Sequence, residues 1–121
     1  MSPVTRPMSG DALHFHLPDE RAHVNDPALL ARNGRNARTI LKEGPLRVTM
    51  VMLAPGGQLA SHHADGPLTA QVLDGDIRFH VAGKDHDLAS GDLLLVNGGL
   101  EHVVSSSTGG TFLLTVVHEG T

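Results

Sequence analysis

The chain has no cysteine, no tryptophan and no tyrosine, and its aromatic content is three phenylalanines. Without cysteine there is no disulfide framework, no thiolate zinc site and no cysteine nucleophile, although the compartment stays undecided on that ground. So few aromatics leave no platform for stacking bases or sugars. Long apolar runs are missing too. Uninterrupted ones such as Leu93 to Val96 are far short of the ~20 residues that cross a bilayer. Met1 to Gly10 holds no apolar run behind a basic region, so no secretory signal is visible, and a soluble, cytoplasmic protein is expected. Positive charge is scarce: nine Lys and Arg stand against thirteen Asp and Glu, a formal net charge of −4. The basic residues are scattered apart from Arg32, Arg35 and Arg38, which excludes the basic face that a nucleic-acid partner needs.

What is present suits one globular domain: 121 residues, 40% hydrophobic and 18% charged, with fourteen glycines and nine histidines. That length supports a single core, and so many histidines favour metal or acid–base chemistry. Residues 1–36 read as an N-terminal arm. Within it, Leu13, Phe15 and Leu17 alternate with His14 and His16, the pattern of a half-buried edge strand whose outer face carries the histidines. Such a strand is placed to pair with a second subunit. Asp26-Pro27 then gives a cap followed by proline at the first helical position, and Gly34 ends a short helix. The arginines near its end suit the helix C-terminus electrostatically, a plainer role than an anion site.

From residue 37 to 121 the chain reads as strand after strand, expected at Arg38–Lys42, Leu46–Leu53, Leu59–His63, Leu68–Leu73, Asp76–Ala82, His86–Leu88, Leu93–Val96, His102–Ser105 and Thr111–Val117. Glycine turns separate them at near-regular spacing, which indicates an all-β sandwich or jelly roll. Apolar residues on both faces of Val48 to Leu53 mark a strand covered on two sides. Asp74-Gly75 is expected to close a tight hairpin, setting Val72 opposite Ile77, Ala70 opposite Phe79 and Leu68 opposite Val81 on one apolar face. Gln71 falls on the polar face.

Two stretches carry the chemistry: Pro55-Gly56-Gly57-Gln58-Leu59-Ala60-Ser61-His62-His63-Ala64-Asp65-Gly66-Pro67-Leu68, running on to Asp74-Gly75, and Gly91-Asp92-Leu93-Leu94-Leu95-Val96-Asn97-Gly98-Gly99-Leu100-Glu101-His102. They resemble the two motifs of the cupin superfamily, G-x5-H-x-H-x3-E-x6-G and G-x5-P-x-G-x2-H-x3-N, with Gly56, His62, Gly75, Gly91, Gly99 and His102 at the matching spacings. The resemblance is to small single-domain, RmlC-like cupins, in a bacterial subgroup of unassigned function, and covers about residues 37–118. It implies a double-stranded β-helix, or jelly-roll barrel, and a homodimer. In cupins the motif histidines and glutamate converge on one divalent metal. Here the second histidine is Ala64 and the glutamate is Leu68, while Asn97 replaces the proline and Ser106 the asparagine.

His62 and His102 are therefore the candidate ligands for a divalent metal (zinc, nickel, iron or manganese), with His63, Asp65 and Gln71 as candidate additions. Two imidazoles alone make a weak site beside the three protein ligands of catalytic zinc. Leu68, Ala70, Val72, Ile77 and Phe79 are expected to line an apolar barrel interior. Three readings follow: a metal-dependent enzyme acting on a small organic substrate, a binding or sensing barrel that has lost the metal site, and a metal-free enzyme using one histidine as general acid–base. His80, His86, His118 and Glu101 read as surface positions, and no nucleophile elbow or phosphate loop is present.

Overall fold

The computed structural model describes residues 7–62 and 65–118, with the backbone alone for residues 60–62. Two short helices, α1 (Leu17–Val24) and α2 (Pro27–Asn33), precede the strands β1 (Arg35–Glu43), β2 (Leu46–Leu53), β3 (Gln58–His62), β4 (Leu68–Val81), β5 (Lys84–Ala89), β6 (Leu93–Val96), β7 (His102–Ser105) and β8 (Gly110–Val117). The strands run β1-β2-β8-β4-β7-β3, with β5 and β6 each paired to β4. Every pairing is antiparallel. The result is a curled all-β jelly roll in which β1 and β3 form the two ends of the strand path.

Period-two patterning explains how β2 serves two cores. Val51 and Leu53 join the inner core with Leu68, Ala70, Val72, Ile77, Phe79, Val81, Val96, Val104 and Phe112. Met50 and Met52 point the other way and form an outer core with Val24 and Ile40. The doubly apolar run in the sequence is thus a strand sandwiched between barrel interior and helices. Phe79 and Phe112 are fully buried in the inner core, and each such burial stabilises by about 1.5–3 kcal/mol.

The expected Asp74-Gly75 hairpin does not form. Residues 68–81 are one continuous strand, and its two halves find different partners: β6 and β8 for the first, β5, β7 and the start of β8 for the second. Between Val72 and Asp74 the register against β8 shifts by one residue. That bulge flips the alternation, so even-numbered Leu68, Ala70 and Val72 share a core with odd-numbered Ile77, Phe79 and Val81. A tight hairpin and a one-residue bulge place these six side chains on the same face. The pattern alone does not separate them.

The early edge strand is also corrected. Residues 12–16 form no ladder, and Leu17 begins a helix instead. Pro18 in the first turn, followed by Asp19 and Glu20, is helix-start chemistry. The alternation survives in the burial: Leu13, Phe15 and Leu17 are half-buried while His14 and His16 are exposed, and Phe15 and Leu17 pack on the outer core. The second helix forms as expected. The Asp26 carboxylate accepts from the Ala28 and Leu29 N–H groups at 3.1 Å, and Gly34 ends the helix in the left-handed region (φ 77°).

Candidate ligand site at the histidine pair

His62 ends β3 and His102 begins β7, and the ladder between these strands makes them backbone partners. Along it Gln58 faces Ser105, Leu59 faces Val104 and His62 faces His102, so three steps on β3 answer two on β7. This bulge, which the regular-strand reading missed, keeps Leu59 and His62 in step with alternate β7 positions.

His102 and Val104 are the buried members of β7, Val103 and Ser105 the half-buried ones. At 2% exposure, the His102 ring lies inside the barrel wall, stacked on Phe79 with centroids 5.8 Å apart and planes at 30°. Phe79 in turn meets Phe112 edge-on at 5.7 Å. His102 Nδ1 lies 3.3 Å from the Leu100 carbonyl. A carbonyl only accepts, so as a hydrogen bond this contact requires a proton on Nδ1. The arrangement is a pre-oriented imidazole against an aromatic and aliphatic wall. Sequence reasoning found His102 by its motif, while its aromatic partner lies 23 residues away on another strand and left no local signal.

The other candidates fall as follows. His63 and Ala64 lie outside the described residues. Asp65 is exposed, and its loop packs against Gly98 so closely that a Cβ there would sit 2.4 Å from the Asp65 carbonyl. Gln71 is exposed between fully buried Ala70 and Val72, hence on the outer face. Leu68, Ala70, Val72, Ile77 and Phe79 are all at most 3% exposed and belong to the inner core. Glu101 and His118 are exposed and His86 is half-buried. His80 pairs at the surface with Asp85 at 2.5 Å, a hydrogen bond that holds the Asp85 carboxyl below its usual range.

Among the described residues no group of three or more His, Asp or Glu side chains could hold a metal ion. Leu68, at the family's glutamate position, is packed between Val96 and Val116 as ladder partners. With Ala64 at the other ligand position, carbon replaces two of the usual four donors. The four-ligand set does not fit this chain.

A family model described as a cupin domain matches residues 49–118. No curated protein matches the chain. Among solved structures, a conserved protein of unknown function from Streptococcus pyogenes superposes with a TM-score of 0.68 at 20% identity, covering 74% of this chain and 79% of that one. A cupin superfamily protein from Desulfitobacterium hafniense gives 0.69 at 15% identity, over 72% of this chain and 80% of that one. Salicylate 1,2-dioxygenase from Pseudoaminobacter salicylatoxidans, solved as an adduct with gentisate, gives 0.74 at 16% identity, over 85% of this chain but 32% of that one. Likeness at these identities is likeness of fold. No helix among the described residues is long and apolar enough to cross a membrane.

Proposed function

The chain belongs to the cupin family, and on that premise we propose that it binds a small organic molecule in its barrel, with His62 and His102 as the polar anchors. The observation that carries this reading is their pairing across β3 and β7, with His102 held in one orientation by Phe79 and the Leu100 carbonyl. Apolar walls with a few fixed polar groups are the usual make-up of a small-molecule site. The same pairing favours a second reading, in which the two imidazoles share a weakly held divalent ion: zinc, nickel, iron or manganese. With carbon at positions 64 and 68, no catalytic step is assigned to such an ion. Homodimer formation, drawn from the family resemblance, belongs to the same proposal, and light scattering on the full chain tests it.

The test is a thermal-shift screen of small organic compounds and divalent metals on the untagged protein, beside His62→Ala and His102→Gln. Elemental analysis of all three accompanies it. Ligands that raise the wild-type melting point and lose that effect in both variants support the reading. Ligands that stabilise the variants as much as the wild type overturn it. Stoichiometric metal that disappears from both variants selects the second reading.

A further inference from the structure

β1 has two unlike faces. Asn36, Arg38 and Ile40 look towards α1 and the outer core: Asn36 Nδ2 donates to the Val24 carbonyl at 2.9 Å, Arg38 Nε donates to Glu20 Oε1 at 2.9 Å, and Ile40 is 2% exposed. Arg35, Ala37 and Thr39 alternate with them and take the other face. Their cross-strand partners are Leu53, Val51 and Thr49, and Leu53 and Val51 belong to the inner core. Cross-strand partners share a face. Arg35 therefore leaves the sheet on the inner-core side, at one end of the strand path, where it is exposed.

A cavity of about 320 Å³ lies there, lined by Asn33, Arg35, Asn36, Ala37, Val51 and Leu59. Leu59 comes from β3, the opposite end of the path, so the cavity bridges the two ends of the curled sheet. Its volume is at the lower end of the roughly 300–1,000 Å³ range of small-molecule sites. Arg35 Nη1 donates to the Asn33 carbonyl at 3.4 Å, the contact expected of a cation at a helix end. That long bond occupies one of the guanidinium's five N–H groups. Arg21, Arg38 and Arg78 each pair with a carboxylate, whereas no described carboxylate pairs with Arg35. In a chain of net charge −4, this is a solvent-accessible cation at the cavity's rim with no described carboxylate paired to it.

We propose that this cavity binds a small organic molecule bearing one carboxylate, with the carboxylate on Arg35 and the apolar body against Val51 and Leu59. A planar guanidinium accepts a carboxylate through two parallel hydrogen bonds, and the leucine and valine walls select an apolar remainder. The assignment names the ligand class for the barrel-binding reading above and rests on it: His102 is not in the cavity's lining, and the link between the two is Leu59, on the strand that ends at His62.

Amide NMR titration of the full chain with benzoate, and with benzamide as its neutral counterpart, tests the assignment. Benzoate is expected to shift the amides of residues 33–37, 51 and 59 and to bind about tenfold or more tightly than benzamide. Arg35→Gln, at an exposed strand end, should keep the melting point and lose the preference, while Arg35→Lys should keep part of it. Equal binding of the two probes, shifts confined to other residues, or a preference that survives Arg35→Gln overturns the carboxylate assignment. A compound from the thermal-shift screen that needs the histidines but not Arg35 also overturns it, and leaves the histidine-anchored reading standing. A screen that yields no ligand overturns both.

Discussion

Single side chains in this barrel carry measurable consequences because the interior is almost wholly carbon. Thr111 is fully buried in β8, and its hydroxyl has no hydrogen-bond partner among the described residues. An unsatisfied buried hydroxyl costs about 1–3 kcal/mol. Thr111→Val, which keeps the shape and removes the hydroxyl, is expected to raise the unfolding free energy by about 1 kcal/mol. A lower denaturant midpoint would show that the hydroxyl has a use. Leu68 offers the opposite experiment. At 3% exposure, it is a site where an unpaired carboxylate is costly. The double variant Ala64→His, Leu68→Glu is expected to melt below the wild type without metal. Added zinc or nickel should then raise its melting point well beyond any rise in the wild type, since a ligand that binds only the folded state stabilises it. Absence of that rise would count against the motif alignment at these two positions.

At the scale of elements, the bulge in β4 and the turn before β8 form one device. Gly75 has φ 74°, and a Cβ there would sit 2.1 Å from the Gly109 carbonyl. Gly75→Ala is therefore expected to cost about 3 kcal/mol or more, read as a fall in denaturant midpoint. A variant as stable as the wild type would mean that the two backbones separate easily. The next residue, Asp76, ties the turn down. Its carboxylate accepts from the Thr108 hydroxyl, from the Ser107 and Thr108 N–H groups at 3.2 and 3.0 Å, and from the Ser107 hydroxyl at 3.0 Å. The Thr108 hydroxyl first, then those N–H groups, hold the Asp76 carboxyl down at about 2, against an ordinary 3.8. Because the folded value is the lower one, the stabilisation is present above about pH 4 and is lost as pH falls towards 2. Melting points measured across that window should fall less steeply for Asp76→Asn than for the wild type. Equal slopes would remove Asp76 from the acid transition. On the outer side, α1 is held by two ion pairs, Arg38 with half-buried access to solvent against buried Glu20, and Arg21 against Asp74 beside the same bulge.

On the scale of the molecule, the two cores share β2 and so depend on each other. The helices cover one face of the sheet: Val24 is fully buried with Ile40, Met50 and Met52, and Phe15, Leu17 and Leu30 pack around them. The segment before β1 is also bonded to the barrel, the Lys42 N–H donating to the Met8 carbonyl at 2.8 Å and the Gly10 N–H to Glu43 Oε1 at 2.9 Å. Removing residues 1–34 would leave Ile40, Met50 and Met52 as an exposed apolar strip on a sheet with a free edge, the arrangement that promotes association. The truncated chain is expected to aggregate, or to melt far below the full chain. A soluble truncation of unchanged melting point would show that the barrel is independent of its helices.

The all-β class, the second helix, the span of β2 and the positions of His62 and His102 follow from local chemistry. Two-fold alternation, Asp-Pro and glycine signals and motif spacing act over a few residues, and the chain carries them wherever it folds. The continuity of β4 is of another kind. Asp74-Gly75 suits a hairpin and a bulge equally, and the choice was made by β8, whose backbone comes from nearly forty residues further on and offers the ladder that a hairpin would refuse. Leu13 to Leu17 likewise alternates as a strand would, but none of the described strands pairs with it, and Pro18 with the acidic first turn of α1 starts a helix at Leu17. The side of the sheet that Arg35 takes follows from its pairing with Leu53, and the stacking of His102 on Phe79 from the ladder between β4 and β7. The sequence by itself determined which segments are extended and which faces are apolar, because those are short-range energies; tertiary structure alone decided which strands meet, because pairing energy exists only once distant backbones are side by side.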